Sequence, residues 1–248
     1  MTRKDLRKRG AALRERLGMA AGAEAVPGFA DFTAEVVYGG VWDRPNLALA
    51  DRMVCTLSAL SVLQRPAELR PMTAGALDLD LTPRNILEVF MQCGLYAGFG
   101  TTEASAAVAK EVFAARGLSV PAEPSRDDSN EDLDARGREL MATVHGERGR
   151  QGYAAPGNPI TGALFPSALR YGYGELWFRP GLDDRRRMLC AVAAFTAMSL
   201  EGQLRKFSQS ALNVGLSREE IVEAVIQTGP YSGFPRALNG LAILSDVL

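Results

Sequence analysis

The chain is short of the residues that most often mark chemistry. It has one histidine, three cysteines and only four lysines among 28 basic side chains in 248 residues. With no Cys-x-x-Cys spacing and no Cys/His cluster, neither a disulfide framework nor a metal site is expected. Cys55 and Cys190 lie in apolar helical runs, as buried thiols do. Cys93, between Gln92 and Gly94, is the odd one, a buried thiol with a pocket position as the alternative. The formal net charge is −1, so no general attraction to nucleic acid or anionic lipid is expected. The local basic cluster from Arg3 to Arg9 reads as the solvated face of a first helix. Apolar runs over 53–63 and 188–200 break well before the roughly 18 residues a membrane span needs. No apolar stretch follows the N-terminal charges as it would in a signal peptide. These absences predict a soluble cytoplasmic protein with neither a membrane nor a nucleic-acid partner. The arginine bias, with abundant Ala and Gly, suggests a GC-rich bacterial gene.

What the chain does have is a long internal repeat. Shifted by 135 positions, Tyr38, Gly39, Trp42, Arg44, Pro45, Arg52 and Cys55 fall on Tyr173, Gly174, Trp177, Arg179, Pro180, Arg187 and Cys190. The match continues without a gap, from Leu69, Arg70, Glu88, Gln92, Tyr96 and Phe99 to Leu204, Arg205, Glu223, Gln227, Tyr231 and Phe234. A repeat of this length is a duplicated small domain rather than a solenoid unit. The expected division is a first domain over 1–118, a linker over 119–131 rich in Pro, Ser and Asp, and a second domain over 132–248. The hydrophobic content of 47% suffices for one large core or two ordinary ones, and the repeat favours two.

No segment shows sustained strand alternation, so the fold is expected to be all-α, twice. Thr82-Pro-Arg-Asn85 is a helix start with an N-cap threonine and proline at the first helical position. Its partner Ser217-Arg-Glu-Glu220 reads as a capping box. Both open a helix with Glu and Gln four residues apart, Glu88 with Gln92 and Glu223 with Gln227, on one face. Where the second half has Gly215, the first has Asp80, which removes an easy left-handed helix stop.

The segments Trp177-Phe-Arg-Pro-Gly-Leu182, Gly215-Leu-Ser-Arg-Glu-Glu-Ile221 and Tyr231-Ser-Gly-Phe-Pro235 together resemble the carboxymuconolactone decarboxylase family. The resemblance covers nearly all of both halves. It implies two tandem all-helical domains of the alkylhydroperoxidase AhpD-like fold, a cofactor-independent decarboxylation of a carboxylated lactone, and a homo-oligomer, here a trimer of fused pairs or a dimer. The peroxidase branch uses a Cys-x-x-Cys run that would fall at Gln64 to Ala67 and at Ser199 to Gly202, where there is no cysteine, so thiol peroxidase chemistry is not expected. The histidine that the decarboxylase branch carries is replaced by Met72 and Phe207. The only histidine, His145, lies on the first helix of the second half, opposite Leu17.

Cofactor-free decarboxylation needs a group to bind the carboxylate, an acid for the carbon or enolate, and donors where oxyanion charge develops. Arg44 and Arg179, beside Trp42 and Trp177, are candidates to hold a carboxylate or, alternatively, to pack on the tryptophans. Glu175 near Trp177 is a candidate acid or base, or a solvated corner residue. Glu223 with Gln227, and Glu88 with Gln92, either face a cavity or form buried ion pairs with Arg187 or Arg205. Tyr231 and Tyr96 are phenolic donors or packed contacts. The second half keeps more of the pattern. Its expected catalytic residues are Glu175, Arg179, Glu223 and Tyr231, with Trp177, Phe207, Gln227, Ser199, His145, Trp42, Arg44 and Met72 lining the substrate site. The readings left open are a lyase on a cyclic acid, lactone or polyketide-like small molecule, plausibly in secondary metabolism; an isomerase or cyclase on the same class; a non-catalytic binding protein; and a residual peroxidase that would need Cys93.

Overall fold

The computed structural model describes residues 2–19, 26–120, 122–123, 126–155 and 157–248, without the side chain of Tyr153. The predicted Gly/Ala loop over 20–25, Pro121, Pro124 and Ser125 of the linker, and Pro156 lie outside the described residues. The described residues contain helices and turns and no strand.

In the first repeat, α1 (Arg3–Arg16) starts at a Thr2/Asp5 capping box. The short α2 (Phe29–Thr33) widens into a π-helical stretch, Ala34–Trp42. Then follow α3 (Leu49–Val62), α4 (Pro66–Asp78), α5 (Pro83–Ala97) and α6 (Phe99–Ala115). The second repeat has α7 (Asn130–His145), α8 (Phe165–Ser167) widening into a π-helical Ala168–Glu175, and then α9 (Asp184–Met198), α10 (Glu201–Ala211), α11 (Arg218–Ser232) and α12 (Phe234–Val247). The predicted caps form: Thr82 exchanges hydrogen bonds with Asn85, and Ser217 with Glu220. Asp80 takes up the left-handed stop regardless, with φ 62 against 82 at Gly215. A short polar side chain tolerates that region, so the loss of glycine costs strain rather than the turn.

Two close backbone approaches fix each first helix. A Cβ on Gly137 of α7 would lie 2.6 Å from the Leu169 carbonyl, and one on Gly174 would collide with the Leu133 carbonyl. Gly10 meets Ala34 and Gly39 meets Leu6 in the same way. These contacts align Gly10 with Gly137 and Leu6 with Leu133, so the counterpart of His145 is Gly18 and that of Leu17 is the buried Val144. The sequence comparison of His145 with Leu17 is therefore one position out, because the loop after the first helix is longer in the second repeat. Charge reversal supports the register. Arg7 bonds Glu35 in the first repeat, and Asp134 receives Arg170 at the equivalent positions of the second.

The expectation of two cores is overturned. One continuous apolar cluster runs through both repeats, because α3 and α9 pack on each other and each also meets a helix of the opposite repeat, α11 on α3 and α5 on α9. Every residue of α3 from Arg52 to Val62 is buried. Repeat equivalents meet near the pseudo-twofold axis: Arg186 Nε donates to Asp51 at 2.8 Å, and burial first, then the neighbouring Cys190, push the Cys55 thiol pKa well up. Each leucine buried here contributes about 1.5–3 kcal/mol. The contact is isologous, as between two subunits of a dimer, with the partners joined in one chain. The described part of the linker is tied down, with Glu123 held by Arg84 and Arg126 paired with Asp128.

Candidate functional site

The repeats exchange their charged residues. Glu88, 1% exposed, receives Arg179 through Nε at 3.0 Å and Nη2 at 2.9 Å, and Arg187 Nη2 at 3.3 Å. Its equivalent Glu223, 2% exposed, receives Arg44 Nη2 at 2.8 Å and Arg52 Nη2 at 2.9 Å. Both arginines at the helix starts, Arg52 and Arg187, are fully buried and also donate to backbone carbonyls. A buried carboxylate between guanidiniums is held by charge-assisted hydrogen bonds. Arg44, Arg179 and Glu223 are therefore committed to each repeat's grip on the other. Of the two ion-pair partners considered for Glu88, the structure selects Arg187; Arg205 instead reaches Asp246 on the surface.

From Glu88 a polar chain leads outward along α5. Arg187 Nη1 donates to Gln92 Oε1 at 3.1 Å, and Gln92 Nε2 donates to Tyr96 Oη at 2.7 Å. The Tyr96 oxygen thus accepts from inside the protein and retains its own proton to donate. Its ring borders a cavity of about 560 Å³. Phe195 and Phe207 pack against Tyr96 at centroid separations of 4.6 and 6.4 Å, and Tyr173 stacks on Trp177 at 6.1 Å. Gln203, Lys206 and Phe207, spaced along one face of α10, close another side. Lys206 is the one charged side chain among the described residues that line the cavity. Burial first, and then the nearby Arg148, push its ammonium pKa down.

His145 sits behind this wall, fully buried, with its ring 4.8 Å from that of Phe207. The Ser210 hydroxyl donates to the Lys206 carbonyl, so it accepts from His145 Nδ1 at 2.7 Å. That assignment leaves Nε2 unprotonated, to accept the Tyr173 hydroxyl at 2.8 Å. Burial, with Lys206 and Arg148 nearby, pushes the imidazole down to about 3. His145 therefore stays neutral near pH 7 and orients Tyr173 at the cavity edge.

The room behind that wall is filled differently in the first repeat. A Cβ on Gly75, the counterpart of Ser210, would lie 2.7 Å from Met19 Cε, so the methionine fills the room that the His145–Ser210 pair takes in the second repeat. Arg14 covers Tyr38 at 5.7 Å, and Trp42 Nε1 donates to Tyr231 Oη at 2.8 Å.

The sequence reading grouped Glu175, Arg179, Glu223 and Tyr231 in one site, and the structure separates them. Trp177 and Phe207 line the cavity and His145 backs it. Trp42 and Tyr231 bond each other away from the cavity, Met72 is the repeat equivalent of Phe207, and Arg44 is held by Glu223. Gln227 accepts from Arg52 at 3.2 Å and donates to Thr56 at 3.1 Å. Glu175 faces Arg126 at 3.7 Å, outside the cavity lining. Ser199 is an exposed left-handed cap of α9. Cys93 is fully buried, donates weakly to the Ser58 carbonyl, and is held protonated because burial pushes its pKa well up, so of its two readings the buried thiol holds and the pocket position does not. Sequence reasoning missed Lys206, Gln203 and Tyr173; it named Tyr96 beside Tyr231 as a phenolic donor but placed only Tyr231 in the site. The spacing of Gln203, Lys206 and Phe207 on one helix face was the available signal. Among the described residues, no three His, Cys, Asp or Glu side chains converge as metal ligands.

The profile of the carboxymuconolactone decarboxylase family matches the sequence twice, over residues 27–111 and 163–246. The chain belongs to the carboxymuconolactone decarboxylase family. A 4-carboxymuconolactone decarboxylase of Acinetobacter baylyi is 31% identical over 78 residues, 32% of this chain and 58% of that protein. A nitrosuccinic acid decarboxylase of Metarhizium robertsii is 27% identical over 78 residues, 32% of this chain and 54% of that one. A 15.0 kDa protein of Paracoccus denitrificans is 34% identical over 81 residues, covering 60% of its length. The chain thus spans a little over half the length of these relatives. The two profile matches coincide with the two structural repeats, and no helix of the described residues is long and apolar enough to cross a membrane.

Proposed function

We propose that the protein is a decarboxylase-like carbon–carbon lyase acting on a cyclic carboxylic acid, lactone or polyketide-like compound bound in the Trp177–Phe207 cavity. The observation that carries this reading is the asymmetry of the repeats: one holds an aromatic-walled cavity with a lysine and a phenol at its wall, and the other has Pro71 and Met72 in place of Lys206 and Phe207. A cavity of about 560 Å³ suits a substrate of ordinary drug-like size. Its apolar wall desolvates a carboxylate, which favours loss of neutral CO2. The Lys206 ammonium supplies a counter-charge, and Tyr96 donates a hydrogen bond where oxyanion charge develops or a proton where carbon needs one. Two of the similar proteins are named as decarboxylases of carboxylated compounds, which agrees with this chemistry. Placement in secondary metabolism and assembly as a homo-oligomer belong to the same proposal.

A second reading, ligand binding without turnover, is favoured by the absence of a carboxylate among the described lining residues. The experiment is mass spectrometry of products from a panel of carboxylated lactones and aromatic polyketide acids, with wild type and Tyr96→Phe. Loss of one CO2 by the wild type, slowed about a hundredfold or more in the variant, is expected. Saturable binding with no change of mass in any ligand refutes the lyase and leaves the binding protein.

A further inference from the structure

Decarboxylation leaves an electron pair that must go somewhere, and the cavity offers no metal cluster and no lining carboxylate among the described residues. A fixed ammonium stabilises such a pair, whereas an iminium accepts it. We propose that Lys206 forms an imine with the ketone of a cyclic β-keto acid, so that the cavity decarboxylates its substrate through a covalent enamine. This inference rests on the lyase reading and names its substrate class.

Three observations carry it. Among the described residues Lys206 is the one charged side chain lining the cavity, with Gln203 and Phe207 on the same helix face. The chain uses arginine for nearly all its cations, four of 28 being lysine, yet keeps lysine here. An arginine would supply the charge but never a free amine, because its guanidinium does not deprotonate in proteins. In the first repeat the position equivalent to Lys206 is Pro71, so that copy carries no amine at this place on its helix. Burial and the neighbouring Arg148 enlarge the neutral fraction of the amine, as lysine nucleophiles require.

The steps balance without an oxidant or reductant. The neutral amine adds to the ketone carbon, and the carbonyl oxygen leaves as water, giving a protonated imine. The bond to the carboxylate carbon breaks, CO2 departs, and its electron pair moves through the new carbon–carbon double bond onto nitrogen. Tyr96 protonates the enamine carbon and is reprotonated from solvent. Water then adds to the iminium and releases the ketone and the free amine.

The test uses the full chain with 2-oxocyclohexanecarboxylate and with cyclohexanone, each with sodium cyanoborohydride, followed by peptide mass mapping. Trapping on the wild type requires no variant to fold. The expected result is one reduced cyclohexyl adduct, on the peptide carrying Lys206 and not on Lys4, Lys8 or Lys110. Lys206→Arg, which keeps the charge, is expected to take up no adduct and to release CO2 at least about a hundredfold more slowly. No adduct on the wild type, or labelling spread equally over the four lysines, overturns the proposal. CO2 release at an unchanged rate in Lys206→Arg refutes the imine and leaves the lyase. An adduct confined to Lys206 with no CO2 released from any acid supports the imine and refutes the lyase.

Discussion

Acid should unfold this protein through one buried imidazole before it titrates most of the carboxylates. His145 has no solvent exposure, lies near Lys206 and Arg148, and keeps its folded pKa at about 3, against 6.5 when unperturbed. Above pH 6.5 both folded and unfolded chains hold it neutral, and its full contribution to stability is present. As the pH falls below that value, the unfolded chain takes up a proton that the folded chain refuses. Stability is then lost at about 1.4 kcal/mol per pH unit, until the folded imidazole protonates at about 3. Between pH 6.5 and about pH 5 the loss attributable to His145 is therefore about 2 kcal/mol. Urea unfolding at about pH 7 and about pH 5, on wild type and on His145→Gln, isolates it, since carboxylate titration is common to both proteins. The wild type should lose about 2 kcal/mol more than the variant over that interval. Equal losses would show that the imidazole takes up its proton in the folded state, and the neutral Nδ1–H tautomer assigned from Ser210 would be wrong.

Two further perturbations address the frame of the cavity. Glu88→Ala and Glu223→Ala should each cost about 3–5 kcal/mol in urea unfolding, by leaving buried arginines uncompensated. Only Glu88→Ala should also weaken ligand binding in the cavity, because Gln92 and Tyr96 depend on that cluster; equal effects on binding would contradict the chain along α5. Gly174→Ala should lower stability by about 3 kcal/mol through its collision with the Leu133 carbonyl. Gly172→Ala, whose Cβ meets only Leu95 Cδ1 at 3.7 Å, should stay within about 1 kcal/mol of wild type, with both read by thermal unfolding.

Local signals carried well from sequence to structure where the chemistry is local. The caps at Thr82 and Ser217 and the common face of Glu88 and Gln92 depend on residues a few positions apart. The shift of 135 positions identified which residues are equivalent, and Arg187 was already one of two possible partners for Glu88. What the repeat could not reveal is which equivalent belongs to which cavity. Tyr231 follows Trp177 in the same half, yet bonds Trp42, because α5 and α11 cross to the opposite repeat. The place of His145 depended on the register of α7, which is set by the Gly137–Leu169 approach rather than by sequence spacing. Lys206 was visible as one of four lysines, but only the packing of α10 brings it to the wall.

The exchange of arginines across the axis also governs how the two copies have diverged. Arg44, Arg52, Glu223 and Gln227 recur unchanged as Arg179, Arg187, Glu88 and Gln92, since a substitution in either copy strands a charge held by the other. Around the cavities the copies share no such debt, and Gly75, Met72 and Pro71 stand opposite Ser210, Phe207 and Lys206. Joining the copies in one chain has thus let the linings of the two sites diverge while the seam between them stayed fixed. For the same reason a chain severed between the repeats should yield two insoluble fragments rather than two half-active ones.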